Sequence, residues 1–109
     1  GMKYPTKKEE LLLLAVRRLG RDASLVSIRG LLNESTREDW SVGNIYVALD
    51  NLRKAAYLEE SIGAPSAKRG GKAVKYYRLT KEGSRVLAEV KKVHDIMWGT
   101  VSVRPSGES

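Results

Sequence analysis

Five side chains at helical spacing carry the most specific chemistry in this chain. Gly43, Asn44, Val47, Asn51 and Lys54 recur within one stretch, Trp40 to Leu58 (WSVGNIYVALDNLRKAAYL). That spacing puts them on one face of a helix, with Tyr46, Asp50 and Arg53 on its flanks. Asn amides can pair with adenine edges in a DNA major groove, and Lys, Arg and Tyr can hold phosphates. Asp50 would repel a phosphate, so it faces a base edge, a cation such as Arg53 or Lys54, or water. A plain amphipathic helix with a solvated polar face would show the same pattern, so the surrounding elements must decide.

Chemistry of other kinds finds little support. There is no cysteine, which excludes disulfides, thiolate nucleophiles and Cys-type zinc sites. A single histidine, His94, cannot gather the three or four clustered ligands that zinc needs. It reads as a packed or rim histidine, or as a pH- or ligand-sensitive contact between subunits. Glu59 and Glu60 are adjacent, but on a strand they point to opposite faces and cannot act as a pair. Gly70-Gly71 lacks the strand-to-helix setting and the Lys-Ser/Thr ending of a phosphate loop. With no nucleophile–base arrangement, the chain reads as a non-enzyme that needs no cofactor or metal.

The 109 residues make one domain with a modest core, suited to a small module or a subunit of an oligomer. The formal net charge is +7, and its location matters more than its size. The window 61–80 holds Lys68, Arg69, Lys72, Lys75 and Arg78 and no acid. A concentrated basic patch beside a candidate reading helix points to a polyanion. The apolar run Leu11–Val16 is too short to span a bilayer, and the charges bracketing it argue against a signal peptide. Gly1 ahead of Met2 reads as a scar of tag removal, and the expected address is the cytoplasm.

The elements that must position these residues follow from capping and periodicity. Thr6-Lys7-Lys8-Glu9 matches a capping box and opens a helix to Leu19, stopped by Gly20. That helix is apolar on more than one side, which predicts packing on its own domain and on a partner chain. Ser24 caps a second helix through Leu25, Ile28, Leu31 and Leu32, and Asn33 to Asp39 reads as a polar break. Ser41 caps the third helix, whose stripe Ile45, Leu49 and Leu52 is buried. Trp40 precedes that cap as core or hydrophobic staple. Tyr57–Ile62 and Val74–Leu79 read as strands, with Leu58 and Ile62 on one side, joined by the Gly-rich, cationic GAPSAKRGGKA. Tyr77 and Leu79 are expected to meet Leu58 in the core, and Lys75 shares their parity. Thr80 caps a last helix, roughly Lys81 to Trp98. Its positions Val86, Val90, Val93 and Met97 step by 4, 3, 4 like a coiled-coil seam, with Leu87 and His94 alongside. With no later element to cover it, the seam predicts a second copy of the chain.

Three helices, a two-stranded hairpin with a basic tip and a terminal helix make an α+β, mainly helical fold. This is a winged helix-turn-helix, whose third helix would read the major groove while the wing reaches the adjacent backbone or minor groove. G-N-I-Y-V-A-L-D-N-L (Gly43 to Leu52), Tyr57-Leu58, the Gly-rich basic wing and K-Y-Y-R-L-T-K-E-G (Lys75 to Gly83) together resemble the PadR family of transcriptional regulators. The resemblance covers about residues 7–93, and its two motifs are jointly more specific than either alone.

The resemblance implies a bacterial, homodimeric repressor that binds an inverted-repeat operator in double-stranded DNA, and that does not act at a membrane. Carried over by position, Ser41, Gly43, Asn44 and Tyr46 match the segment set against DNA. Lys68, Arg69, Gly70, Gly71 and Lys72 match the wing. The expected partition is a DNA-binding domain over 6–80, a dimerisation helix over 81–98 and a flexible tail over 99–109. The expected dimer contacts are Leu12, Val16, Val86, Leu87, Val90, Val93 and Met97. Some short family members hold flat aromatic effectors between the terminal helices, and His94, Met97 and Trp98 could line such a pocket, although the favoured reading of Trp98 is that it covers the frayed helix end. Ala56 departs from the family's usual Gly after the recognition helix, which strains a left-handed residue by about 1 kcal/mol. The rival reading is a winged-helix protein–protein interaction module that turns its basic wing toward an acidic partner.

Overall fold

The computed structural model describes residues 4–63 and 73–99. Thr6 opens helix α1 (Lys7–Leu19) with the predicted capping box. Its hydroxyl accepts the Glu9 N–H at 3.1 Å, and the Glu9 carboxylate accepts the Thr6 N–H at 2.8 Å. Glu9 and Glu10 in the first turn and Arg17 and Arg18 in the last complement the helix dipole. Gly20, at φ +60°, ends the helix, and a short 3-10 turn leads to α2 (Leu25–Thr36).

Ser24 and Ser27 form a second reciprocal box at the start of α2, with N–H to hydroxyl distances of 2.8 and 3.2 Å. This helix continues through Asn33–Thr36, where the polar sequence predicts a break. Two of these polar residues bond Trp40 in the turn that follows. Asn33 Oδ1 accepts the Trp40 N–H at 2.8 Å, and the Thr36 hydroxyl accepts the Trp40 indole N–H at 3.0 Å. Arg37, at φ +62°, ends α2 in the left-handed conformation.

Ser41 accepts the Asn44 N–H at 3.0 Å and starts α3 (Val42–Lys54), which buries Ile45, Leu49 and Leu52 as predicted. The helix closes with Ala56 at φ +68°. The Tyr57 N–H donates to the Leu52 carbonyl and the Ala56 N–H to the Arg53 carbonyl, each at 2.9 Å. That is a Schellman turn with alanine where glycine is favoured.

Strands β1 (Leu58–Ile62) and β2 (Lys75–Leu79) pair antiparallel, with Leu58 opposite Leu79 and Glu60 opposite Tyr77. The segment before α2 extends this ladder: the Tyr77 N–H donates to the Ala23 carbonyl at 2.9 Å, and Ser24 bridges Tyr76. Leu58 and Tyr77 are buried, whereas Ile62 is 63% exposed at the far end of the ladder opposite Lys75. Ile62 thus shares the strand face of Leu58, as expected, but lies beyond the edge of the core.

Thr80 caps α4 (Lys81–Trp98) by accepting the Gly83 N–H at 3.0 Å, and its hydroxyl donates to the Ala56 carbonyl. One core joins all these elements, and α1 lies at its centre, touching α2, α3, α4 and β2. Leu12, Val16, Val86, Leu87 and Val90, expected as contacts to a second copy, are buried in this intrachain core. Their apolar pattern reflects the central place of α1, which needs several buried sides and covers the first half of the α4 seam itself. The distal half stays open: Val93 is half-buried, and Ile96, Met97 and Trp98 are exposed. Among the described residues no helix is long and apolar enough to cross a membrane.

Candidate nucleic-acid interface

The turn between α2 and α3 fixes how α3 is presented. Arg29 spans it, donating from Nε to the Trp40 carbonyl at 2.6 Å and from Nη2 to Asp39 at 2.9 Å. With the Asn33 and Thr36 bonds, every polar group of Trp40 is engaged while its ring is buried. Trp40 is thus core, as expected, and it locks the helix-turn-helix angle. Lys8 lies over its ring at 5.7 Å.

Burying Ile45, Leu49 and Leu52 leaves the predicted face of Gly43, Asn44, Val47, Asn51 and Lys54 exposed, with the flanking Tyr46 and the N-cap Ser41 also open to solvent. Tyr46 and Val47 are 47% and 56% exposed. The Lys75 ammonium of β2 stands 5.7 Å from the Tyr46 ring centre, so the hairpin lies against the flank of α3.

Charges at the C-terminal end of α3 are organised in a way the sequence did not make plain. Asp50 accepts from Arg53 Nη2 at 2.9 Å and lies 3.2 Å from Lys54 Nζ. The hydrogen bond from Arg53, then that from Lys54, holds the Asp50 carboxyl below its ordinary value, and Asp50 in turn raises Arg53. Of the three partners open to Asp50, the structure selects the cations. Glu60 on β1 meets Arg53 Nε at 3.5 Å and Lys75 Nζ at 3.7 Å. Burial, followed by the Glu60 charge, pushes the Tyr77 phenol up. Glu59 points to the other face, where it pairs with Arg78. The signal for Glu60 and Lys75 was their parity: both share the strand face of Leu58, Tyr77 and Leu79. On that face the Glu60 carboxylate partners the Lys75 ammonium.

Lys68, Arg69, Gly70, Gly71 and Lys72 lie outside the described residues. At the other end of the molecule, α1 and α4 border a groove of about 650 Å³ lined by Glu10, Leu14, Arg17, Leu87, Lys91 and His94 among others. His94 Nε2 stands 3.5 Å from Oε1 of the buried Glu10. Met97 and Trp98 do not line this groove and stand exposed at the helix end. Among the described residues no three His, Cys, Asp or Glu side chains are grouped to hold a metal.

The model of the transcriptional regulator PadR-like family matches residues 25–89, from the start of α2 into α4. The chain belongs to the PadR-like family of transcriptional regulators. A PadR-like regulator from Bacillus cereus is 26% identical, with a TM-score of 0.71 over 86% of this chain and 86% of that one. A Streptococcus transcriptional regulator is 25% identical, with a TM-score of 0.66 over 89% of this chain and 95% of the other. Streptococcus pneumoniae FabT, solved in complex with DNA, shares the fold at 19% identity and a TM-score of 0.61, over 95% of this chain and 65% of FabT. No curated protein sequence matches the chain. The PadR-like fold is thus the winged helix-turn-helix expected from the motifs, and its family consists of regulators rather than enzymes.

Proposed function

We propose that this PadR-like protein is a homodimeric repressor that binds an inverted-repeat DNA operator. The observation that carries this reading is the joint presentation of α3 and the hairpin. Asn44, Val47 and Asn51 stand open on α3, and Tyr46 on its flank meets Lys75 of β2. Asn44 and Asn51 would pair with base edges, each good pair contributing about 1–3 kcal/mol of discrimination. Ser41, Tyr46, Lys54 and the wing residues Lys68, Arg69 and Lys72 would hold phosphates, with Gly70 and Gly71 letting the wing backbone approach. FabT, of the same fold, was solved in complex with DNA, which supports DNA as the partner.

The dimer would form where α4 runs beyond its intrachain cover. Val93, Ile96, Met97 and Trp98, with the exposed Leu14 of α1, offer a second copy an apolar surface. Residues 6–80 would then be the DNA-binding part and 81–98 the dimerising helix, acting in the bacterial cytoplasm. A flat aromatic effector would sit between the two terminal helices, near His94, Met97 and Trp98. Footprinting on the duplex that the protein selects from a random-sequence pool tests the arrangement. Two protected half-sites about 10 bp apart, or a multiple of that, are expected. A single unsymmetrical half-site would contradict the dimer, and sedimentation of a Met97→Glu, Trp98→Glu double variant should then show no change from the wild type.

A further inference from the structure

We propose that Glu60 is the positioning residue that sets how well this protein discriminates its operator from other DNA; the inference rests on the DNA-binding reading above. Glu60 sits where the wing meets the reading helix, and one of its oxygens, Oε2, faces two cations from different elements. Arg53 of α3 lies at 3.5 Å and Lys75 of β2 at 3.7 Å. Lys75 continues the chain of contacts to the Tyr46 ring, and Arg53 continues it to Asp50, which also holds Lys54. Two acids thus occupy three cations on the side of the molecule that would meet phosphate.

Such an arrangement acts differently on the two kinds of DNA. Random duplex is bound by whatever cations can reach phosphate, so affinity follows the number of free charges. Operator binding needs side chains held in one direction, because phosphate contacts set the register in which bases are read. A carboxylate that tethers Arg53 and Lys75 removes them from the first pool and fixes their direction for the second. The Glu60 separations are longer than a tight charge-assisted hydrogen bond, so Lys75 can turn to phosphate when the register is right, while Arg53 stays directed by Asp50 at 2.9 Å. Glu59, one residue away, pairs with Arg78 on the opposite strand face and provides an internal control.

The test is fluorescence anisotropy of the full chain on two duplexes over a salt series. One is the duplex selected by the wild type from a random pool, and the other is a scrambled duplex of the same composition. Glu60→Gln should bind the scrambled duplex roughly 3- to 10-fold more tightly at low salt, with a salt slope steeper by about 1, as expected for Lys75 alone being freed while Asp50 still holds Arg53. Its affinity for the selected duplex should change by no more than about twofold, so discrimination falls. Glu60→Asp keeps the charge but withdraws it by one methylene, and it should lose discrimination without the steeper slope. Glu59→Gln should leave both unchanged. Equal changes on the two duplexes, or none, for a folded Glu60→Gln would overturn the proposal. A wild type that selects no duplex at all would instead sink the DNA-binding reading beneath it.

Discussion

Lys75 Nζ lies 5.7 Å from the centre of the Tyr46 ring, so a wing strand and the candidate reading helix touch through one cation–aromatic contact. At an exposed site such a contact contributes about 0.5–1 kcal/mol. A double-mutant cycle on urea unfolding, with Tyr46→Leu and Lys75→Met, should return a coupling of about that size. A coupling of zero would mean that the wing is not held to α3 through this pair.

Gly83, the last residue of the K-Y-Y-R-L-T-K-E-G motif, is where α4 meets the chain entering β1. A Cβ there would lie 2.2 Å from the Tyr57 carbonyl oxygen and 3.2 Å from a methyl group of Leu79. Helix propensity alone would favour Gly83→Ala by about 1 kcal/mol. The clash is with backbone, which cannot step aside, so we expect a net loss of about 2–3 kcal/mol in denaturant unfolding. A stabilised variant would show that α4 can shift away from Tyr57 at little cost.

Ala56 holds a left-handed conformation at φ +68° in the turn that launches the wing. Ala56→Gly should raise stability by about 1 kcal/mol, because glycine adopts this conformation without a Cβ penalty. The neighbouring Ala55→Gly, at φ −81°, should bring no such gain. Denaturant midpoints of the two variants decide the point, and equal shifts would contradict it.

Asp50 ties acid stability to the same region. Arg53 and Lys54 hold its carboxyl below the ordinary value, so the unfolded chain takes up that proton first as pH falls. The stabilisation is complete above the ordinary aspartate range and is lost as pH falls through the lower folded value. Unfolding midpoints measured from neutral to strongly acidic pH should therefore decline less steeply in Asp50→Asn than in the wild type. Parallel acid limbs would show that the pairing is not linked to folding.

Much of this architecture could be read before any coordinates, and the reasons are local. Thr6, Ser41 and Thr80 cap helices through short-range bonds written in four residues, and the 3.6-residue stripe of Ile45, Leu49 and Leu52 defines the outward face of α3 by exclusion. What could not be read depended on how the elements fold back on one another. The polar run Asn33–Thr36 looks like a break until Trp40 arrives to take its hydrogen bonds. Leu12, Val16, Val86, Leu87 and Val90 look like an intermolecular seam because a chain's own buried helix contact and a dimer contact share one apolar pattern. Glu60 shows its partners only once the β1–β2 register is known.

If α3 reads bases through Asn44, that side chain must matter on one duplex and not on another. The wild type and Asn44→Ala are compared by fluorescence anisotropy on the selected and scrambled duplexes across salt concentrations. Asn44→Ala is expected to lose about 1–3 kcal/mol on the selected duplex and almost nothing on the scrambled one, with the salt slope unchanged. An equal loss on both duplexes would remove Asn44 from base reading and contradict the assignment of α3 as the helix that recognises sequence.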